Sequence, residues 1–279
     1  MKTLAIILAA KQGSQMKSYV NKQAKSSFLI FDKPMINYVI DALKDNVDTI
    51  FSVIGFDKDK MIEIINNQTE IIVQEKVDGQ LNAINLCKHC FYDYDDVLIV
   101  YGCMPLVDDC IGAILSQHKL HHNDVTFTNG LFVFKSYVLE KYLETLNEGS
   151  IKELLKVMRD DGKRMEMFTL YENECLIVKN RVDLSKAYKV IQQRINISHM
   201  FNGITIIDSE STYIGNNVKI GNDSIIYPNT YILGNSIIGV GSELGPNTYI
   251  IDSFIDNGAV LKNCSIINKN IANKNNKGE

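Results

Sequence analysis

Aliphatic residues recur at a fixed interval towards the end of this chain. Ile214, Ile220, Ile226, Ile232, Ile238, Leu244 and Ile250 fall every six residues, and after a one-residue slip Ile255 and Leu261 resume the spacing. Gly215, Gly221, Gly239 and Gly245 follow four of these positions. A hexapeptide period with an inward aliphatic residue and small residues at the turns describes a parallel β-helix, each hexad forming one side of a triangular coil. So many matches in register do not arise from composition alone. The spacing from Ile204 to Ile267 predicts roughly three and a half coils of about 18 residues. The expected bounds are 201–268 for the β-helix and 269–279, rich in Asn and Lys, for a disordered tail. The ladder itself is core and carries no chemistry.

Residues 1–200 read differently. Leu4 to Leu8 is an apolar run suited to a strand covered on both faces. Ala9, Ala10, Gly13 and Ser14 follow, small enough to let backbone approach a ligand at the strand end, where open α/β sheets bind theirs. The stretch has the look of a phosphate or nucleotide cradle, with Lys11 and Gln15 out of place in it. Strand and helix then alternate: a helix from Pro34 through Leu43, a strand at Thr49 to Ile54, a helix at Lys58 to Asn66, a strand at Glu70 to Val73, a helix at Gly79 to Cys90, a strand at Val97 to Val100 and a helix at Asp108 to Leu120. This order argues for a parallel, doubly wound sheet. Beyond Val125 the pattern loosens, with strands expected at Leu131 to Phe134, Met165 to Leu170 and Leu176 to Val178. Helices are expected at Ser136 to Leu146 and Ile151 to Arg159, and a long linking helix from Arg181 to about Met200.

A chain of 279 residues that is 46% hydrophobic can bury a full core and hold two domains. Its net charge of −4, with lysines and arginines scattered among acids, gives no nucleic-acid footprint. No stretch approaches the roughly 20 apolar residues of a membrane span, and the first ten residues lack a secretory signal, so a cytoplasmic location is expected. The six cysteines show no disulfide-framework spacing. Cys87 and Cys90 mimic a metal knuckle, but without a second pair they read as packing residues. His118, His121 and His122 read as a solvated helix end.

At this point the motifs identify a family. Leu8-Ala9-Ala10 with Gly13 and Met16, Lys33-Pro34-Met35, Gln74 with Gly79, and Tyr101-Gly102 with Pro105-Leu106 resemble motifs of bacterial N-acetylglucosamine-1-phosphate uridyltransferase. Arg194 through Ile214 is similar to the junction of that family between its pyrophosphorylase domain and its left-handed β-helix acetyltransferase domain. The resemblance implies a Rossmann-like, doubly wound nucleotidyltransferase domain followed by a short left-handed β-helix. It also implies a uridine nucleotide or UDP-sugar as ligand, Mg²⁺ as cofactor, and a homotrimer. By the same resemblance Lys25 is a retained phosphate contact, and Ala9, Ala10, Lys11, Gly13, Ser14, Gln74, Gly79, Tyr101 and Gly102 bind the nucleotide.

The departures are as informative. Gln15 stands in place of the family's catalytic arginine, and Lys11 in place of the first glycine of its loop. Cys103 and Lys179 occupy the two positions that hold Mg²⁺ in the family. A segment of several dozen residues is missing between Thr128 and Gly130, and the family's acetyltransferase residues lie on coils beyond those present. Mg²⁺ wants oxygen ligands, and neither a thiol nor an ammonium supplies one. Loss of a single preorganised charge-stabilising donor costs about 100- to 1000-fold in rate. The expectation is therefore a family member that binds nucleotide with lost or strongly reduced uridylyl transfer and no acetyl transfer. The alternatives are an active enzyme with a lysine-based site, or an oligomeric scaffold with a vestigial pocket. Cys103 as a nucleophile, its thiol acidified by Lys179, lacks a base and reads as substitution drift.

Overall fold

The computed structural model describes residues 2–17, 22–146, 148–169 and 175–272. They divide into two units, one comprising Met1–Leu29 with Pro34–Ala187 and the other Ile30–Lys33 with Tyr188–Glu279.

The first unit is built on a seven-stranded sheet. Its strands are β1 (Thr3–Leu8), β4 (Thr49–Ile54), β5 (Glu70–Val73), β6 (Asp96–Tyr101), β7 (Val125–Thr128), β8 (Leu131–Lys135) and β9 (Met165–Met167), in the order β5-β4-β1-β6-β8-β7-β9. A small ribbon of β2 (Leu29–Ile30) and β3 (Lys33–Pro34) stands apart. Strand alternation sends β1 side chains to opposite faces. Ala5 and Ile7 join one core with the helices α1 (Met35–Lys44), α2 (Lys58–Ile65) and α4 (Asp108–Leu120). Leu4 and Ile6 join another with α3 (Gln80–Asn85), α5 (Ser136–Thr145) and α6 (Ile151–Asp160). Helices on both faces explain why β1, β4 and β6 are apolar almost without interruption.

The sheet departs from an all-parallel reading at one strand, since β8 runs antiparallel to both β6 and β7. Its two-residue connection to β7, Asn129-Gly130, can join only antiparallel neighbours. Gly130 sits at φ +89°, where a side chain is strained. The helix expected from Gly79 to Cys90 ends early. After Asn85 the amides of Cys87 and Cys90 bond three residues back, and a 3₁₀ turn at Lys88–Asp93 follows. Leu176 to Val178 forms no strand. The Val178 amide bonds the Cys103 carbonyl at 2.9 Å, a single tie without a ladder.

The second unit begins within α7 (Arg181–Phe201) and is a left-handed parallel β-helix. One face stacks β10 (Thr205–Ile206), β13 (Ile225–Ile226), β16 (Glu243–Leu244) and β19 (Val260–Leu261). The next stacks β11 (Tyr213–Ile214), β14 (Tyr231–Leu233), β17 (Tyr249–Ile251) and β20 (Ser265–Ile267). The third stacks β12 (Lys219–Ile220), β15 (Ile237–Ile238), β18 (Phe254–Ile255) and β21 (Asn270–Ile271). Partners are 18 positions apart at Tyr213 and Tyr231, 17 at Ile237 and Phe254, and 16 at Tyr249 and Ser265. The coils tighten as they proceed, and the ladder runs past the expected bound of 268 to Ile271.

Candidate functional site

A cavity of about 680 Å³ opens where the parallel strands end. Leu8, Val53, Tyr101 and Thr128, each at or near the last residue of its strand, line it together with Gln74 and Gly79. This is the edge at which open α/β sheets bind ligands, and the volume suits a small-molecule site.

The loop after β1 is held from several sides. The Ala9 amide bonds Val53 O at 2.9 Å, and the Phe56 amide bonds Ala10 O at 2.9 Å. Gln12 and Ala24 form an antiparallel bridge, flanked by bonds from the Gly13 amide to Gln23 O at 3.3 Å and from the Lys25 amide to Lys11 O at 3.1 Å. Arg181 Nε donates to Met16 O at 3.0 Å while its guanidinium lies 5.9 Å from the centre of the Phe28 ring. The backbone thus brings Lys11 and Lys25 to one wall.

The residues expected at the site separate into two groups. Ala10, Lys11, Gln15, Lys25, Gln74, Gly79, Tyr101, Cys103 and Lys179 line the cavity. Ala9, Gly13, Ser14 and Gly102 support the loop instead. A Cβ on Gly102 would meet Ala9 Cβ at 3.1 Å and Ser26 Cβ at 3.2 Å, and one on Gly13 would meet Phe28 Cε2 at 3.2 Å. Gln74 is buried, and its Nε2 donates to Gly79 O at 3.1 Å and Asn82 Oδ1 at 3.2 Å. Those bonds leave its Oε1 as the acceptor half of the amide.

Cys103 is 4% exposed, with the ammonium groups of Lys25 and Lys179 near it on the cavity wall. Burial pushes its thiol up, against the lowering pull of both lysines. That overturns an acidified thiolate: the cations are present, but desolvation outweighs them. Burial likewise raises the Tyr101 phenol, whose oxygen accepts from Gln80 Nε2 at 2.7 Å.

Lys152 was missed from the sequence. Ser150 caps α6 in a capping box with Glu153, whose Oε2 accepts from the Ser150 amide at 2.7 Å. The amides of Gln80 and Leu81 bond Gly149 O at 3.1 and 3.3 Å, and the Ile151 amide bonds Gln80 Oε1 at 3.2 Å. These bonds join the starts of α3 and α6, and Lys152 reaches the cavity from the first turn of α6. Four lysines, Lys11, Lys25, Lys152 and Lys179, therefore line the cavity, and among the described residues no Asp or Glu lines it.

The other candidates resolve into packing. Cys87 is buried, bonds the Ala83 carbonyl and has its thiol pushed up to about 12, chiefly by burial and then by Cys90. The histidines are not one solvated helix end. His118 is fully buried, its Nδ1 2.9 Å from Thr126 Oγ1 and its Nε2 3.5 Å from Asp96 Oδ1. His121 Nδ1 lies 2.6 Å from Glu166 Oε2.

Comparison with known proteins agrees with this geometry. A model of the MobA-like NTP transferase domain matches residues 5–176. The chain is 30% identical to the bifunctional protein GlmU of Clostridioides difficile, with 96% of this chain and 68% of that protein covered. It is 32% identical to GlmU of Staphylococcus epidermidis, over 99% of this chain and 71% of that protein, and 29% identical to GlmU of Listeria monocytogenes, over 81% and 60%. Among solved structures, a nucleotidyl transferase from Methanothermobacter superimposes with a TM-score of 0.58 at 19% identity, covering 69% of this chain and 99% of the other. Rv0371c from Mycobacterium tuberculosis does so with a TM-score of 0.55 at 14% identity, covering 67% and 96%. These two similarities show the fold. The sequence matches carry further: the chain belongs to the NTP transferase family of the MobA-like domain, as a relative of the bifunctional GlmU proteins.

Proposed function

We propose that this protein binds a uridine nucleotide or a UDP-sugar in the cavity, with sugar-nucleotide transferase activity lost or strongly reduced. One observation carries the reading: the cavity presents lysines and a buried neutral thiol where phosphoryl transfer needs oxygen ligands for a metal. Cys103 and Lys179 are a poor donor set for Mg²⁺, a hard cation that wants carboxylate or amide oxygens. Gln15 at the cavity wall offers an amide in place of an arginine's permanent charge. Binding needs less. Gln74 Oε1 suits the ring N–H of uracil, and the lysines suit a phosphate chain.

The MobA-like match and the GlmU relatives support nucleotide chemistry as the ancestry of the site. Among the described residues no helix is long and apolar enough to cross a membrane, and we place the protein in the cytoplasm. The β-helix leaves Tyr231, Tyr249, Ile237 and Phe254 each about two-fifths exposed, which supports association of copies, as a trimer, through this unit. Calorimetry with UTP, UDP and UDP-N-acetylglucosamine tests the binding reading. Heat that saturates with at least one of them is expected, and none with any of them overturns it.

A further inference from the structure

The lysine-lined cavity raises a question that the nucleotide reading leaves open, namely in what charge state the ligand enters. Lys11, Lys25, Lys152 and Lys179 carry four formal positive charges into about 680 Å³, and no carboxylate among the described residues lines it. Among the described residues no ion pair joins any of the four to an acid; the nearest carboxylate to Lys152 in sequence, Glu153, is turned back to Ser150 instead. Lys152 also stands in the first turn of α6, where the helix dipole favours an acid and disfavours a cation. A residue that contradicts its local setting is most readily explained by a ligand. A soft, buried sulfur, Cys103, completes a wall that repels a divalent cation and attracts a polyanion.

Resting on the nucleotide reading, we infer that the cavity takes its polyphosphate ligand metal-free, with Lys152 as a phosphate-binding residue, and that Mg²⁺ antagonises binding. The reason is charge balance. A free triphosphate brings up to four negative charges to four ammonium groups, whereas Mg²⁺ removes two of them and brings an ion that the wall does not ligate. Phosphate groups held by cationic donors lose about tenfold in affinity or more when one donor is removed.

The experiment is calorimetry at constant ionic strength with UTP and with inorganic tripolyphosphate, each in EDTA and in Mg²⁺ sufficient to saturate the probe. It uses the full chain, Lys152→Ala and Lys152→Arg, with melting curves to confirm folding. The expected result is tighter UTP binding in EDTA, weakening of about tenfold on adding Mg²⁺, a similar loss in Lys152→Ala at unchanged melting temperature, and partial rescue in Lys152→Arg. Equal or tighter binding with Mg²⁺, or an unchanged affinity in Lys152→Ala, overturns the inference. If tripolyphosphate behaves as described while every uridine nucleotide fails to bind, the nucleotide reading falls and the metal-free anion site stands. If neither probe binds, both fall.

Discussion

At the scale of single residues, the proposed loss of transfer chemistry rests on a handful of side chains. Restoring Gln15→Arg, Cys103→Asp and Lys179→Asn together returns a guanidinium and two oxygen ligands to the wall. Mg²⁺ affinity, read by titration calorimetry, should rise from undetectable to measurable in that triple variant, and no gain would count against the assignment of those positions. A second prediction concerns Glu166, whose carboxyl is held down to about 2 from an ordinary 4.5, first by the Asn123 amide and then by His121. A depressed carboxylate stabilises the fold above its unfolded value and ceases to do so as pH falls through the folded one. Melting temperature should therefore drop between about pH 5 and pH 2, and Glu166→Gln should flatten that part of the curve. Legibility at this scale was uneven. Lys11, Gln15, Lys25, Cys103 and Lys179 stood at motif positions and were singled out as residues. Lys152 lay in no motif, and only the bonds between Gly149 and the start of α3 bring it to the cavity. The burial that neutralises Cys103 is likewise a property of packing, invisible in a string of letters.

Elements show the same division between local rule and tertiary context. The α1, α4 and α6 helices follow their sequence periodicity closely because apolar spacing agrees with the packing, and α6 adds a capping box. The segment after Asn85 does not, because the amides of Cys87 and Cys90 bond three residues back and end the α-helical spacing. In the β-helix the hexad was legible because one residue type fills one place in every coil. Two residues before several of the inward aliphatics lies a buried hydroxyl, as at Thr230, Ser236 and Ser242, which donate to the carbonyls of Tyr227, Leu233 and Gly239 at 2.8, 2.7 and 3.0 Å. Asn229, Asn247 and Asn263 stack at one corner with positive φ, joined by amide bonds of 3.2 and 3.0 Å. The shortening of later coils was legible only as a slip. Two substitutions test the construction. Ile232→Ala, at a fully buried position, should cost about 2–5 kcal/mol in denaturant unfolding. Gly221→Ala, whose Cβ would meet Val240 N at 2.5 Å, should cost about 1–3 kcal/mol by overpacking although it removes no contact. A smaller effect than Ile232→Val in either would contradict the described core.

At the scale of the whole molecule the chain combines a nucleotidyltransferase unit with a parallel β-helix, each with its own core. The trimer proposed for the β-helix predicts a sedimentation coefficient matching three copies, weakened by replacing the exposed Ile237 and Phe254 with polar residues. The central claim is that the nucleotidyltransferase unit retains a nucleotide cavity while the chemistry of transfer is gone. Pyrophosphate release addresses it most directly, measured with the full chain at concentrations where calorimetry has shown UTP to be bound, in Mg²⁺ and with N-acetylglucosamine 1-phosphate as acceptor. The account predicts no release above the uncatalysed background. Multiple-turnover release that depends on the sugar phosphate and is abolished by Lys25→Ala would contradict it.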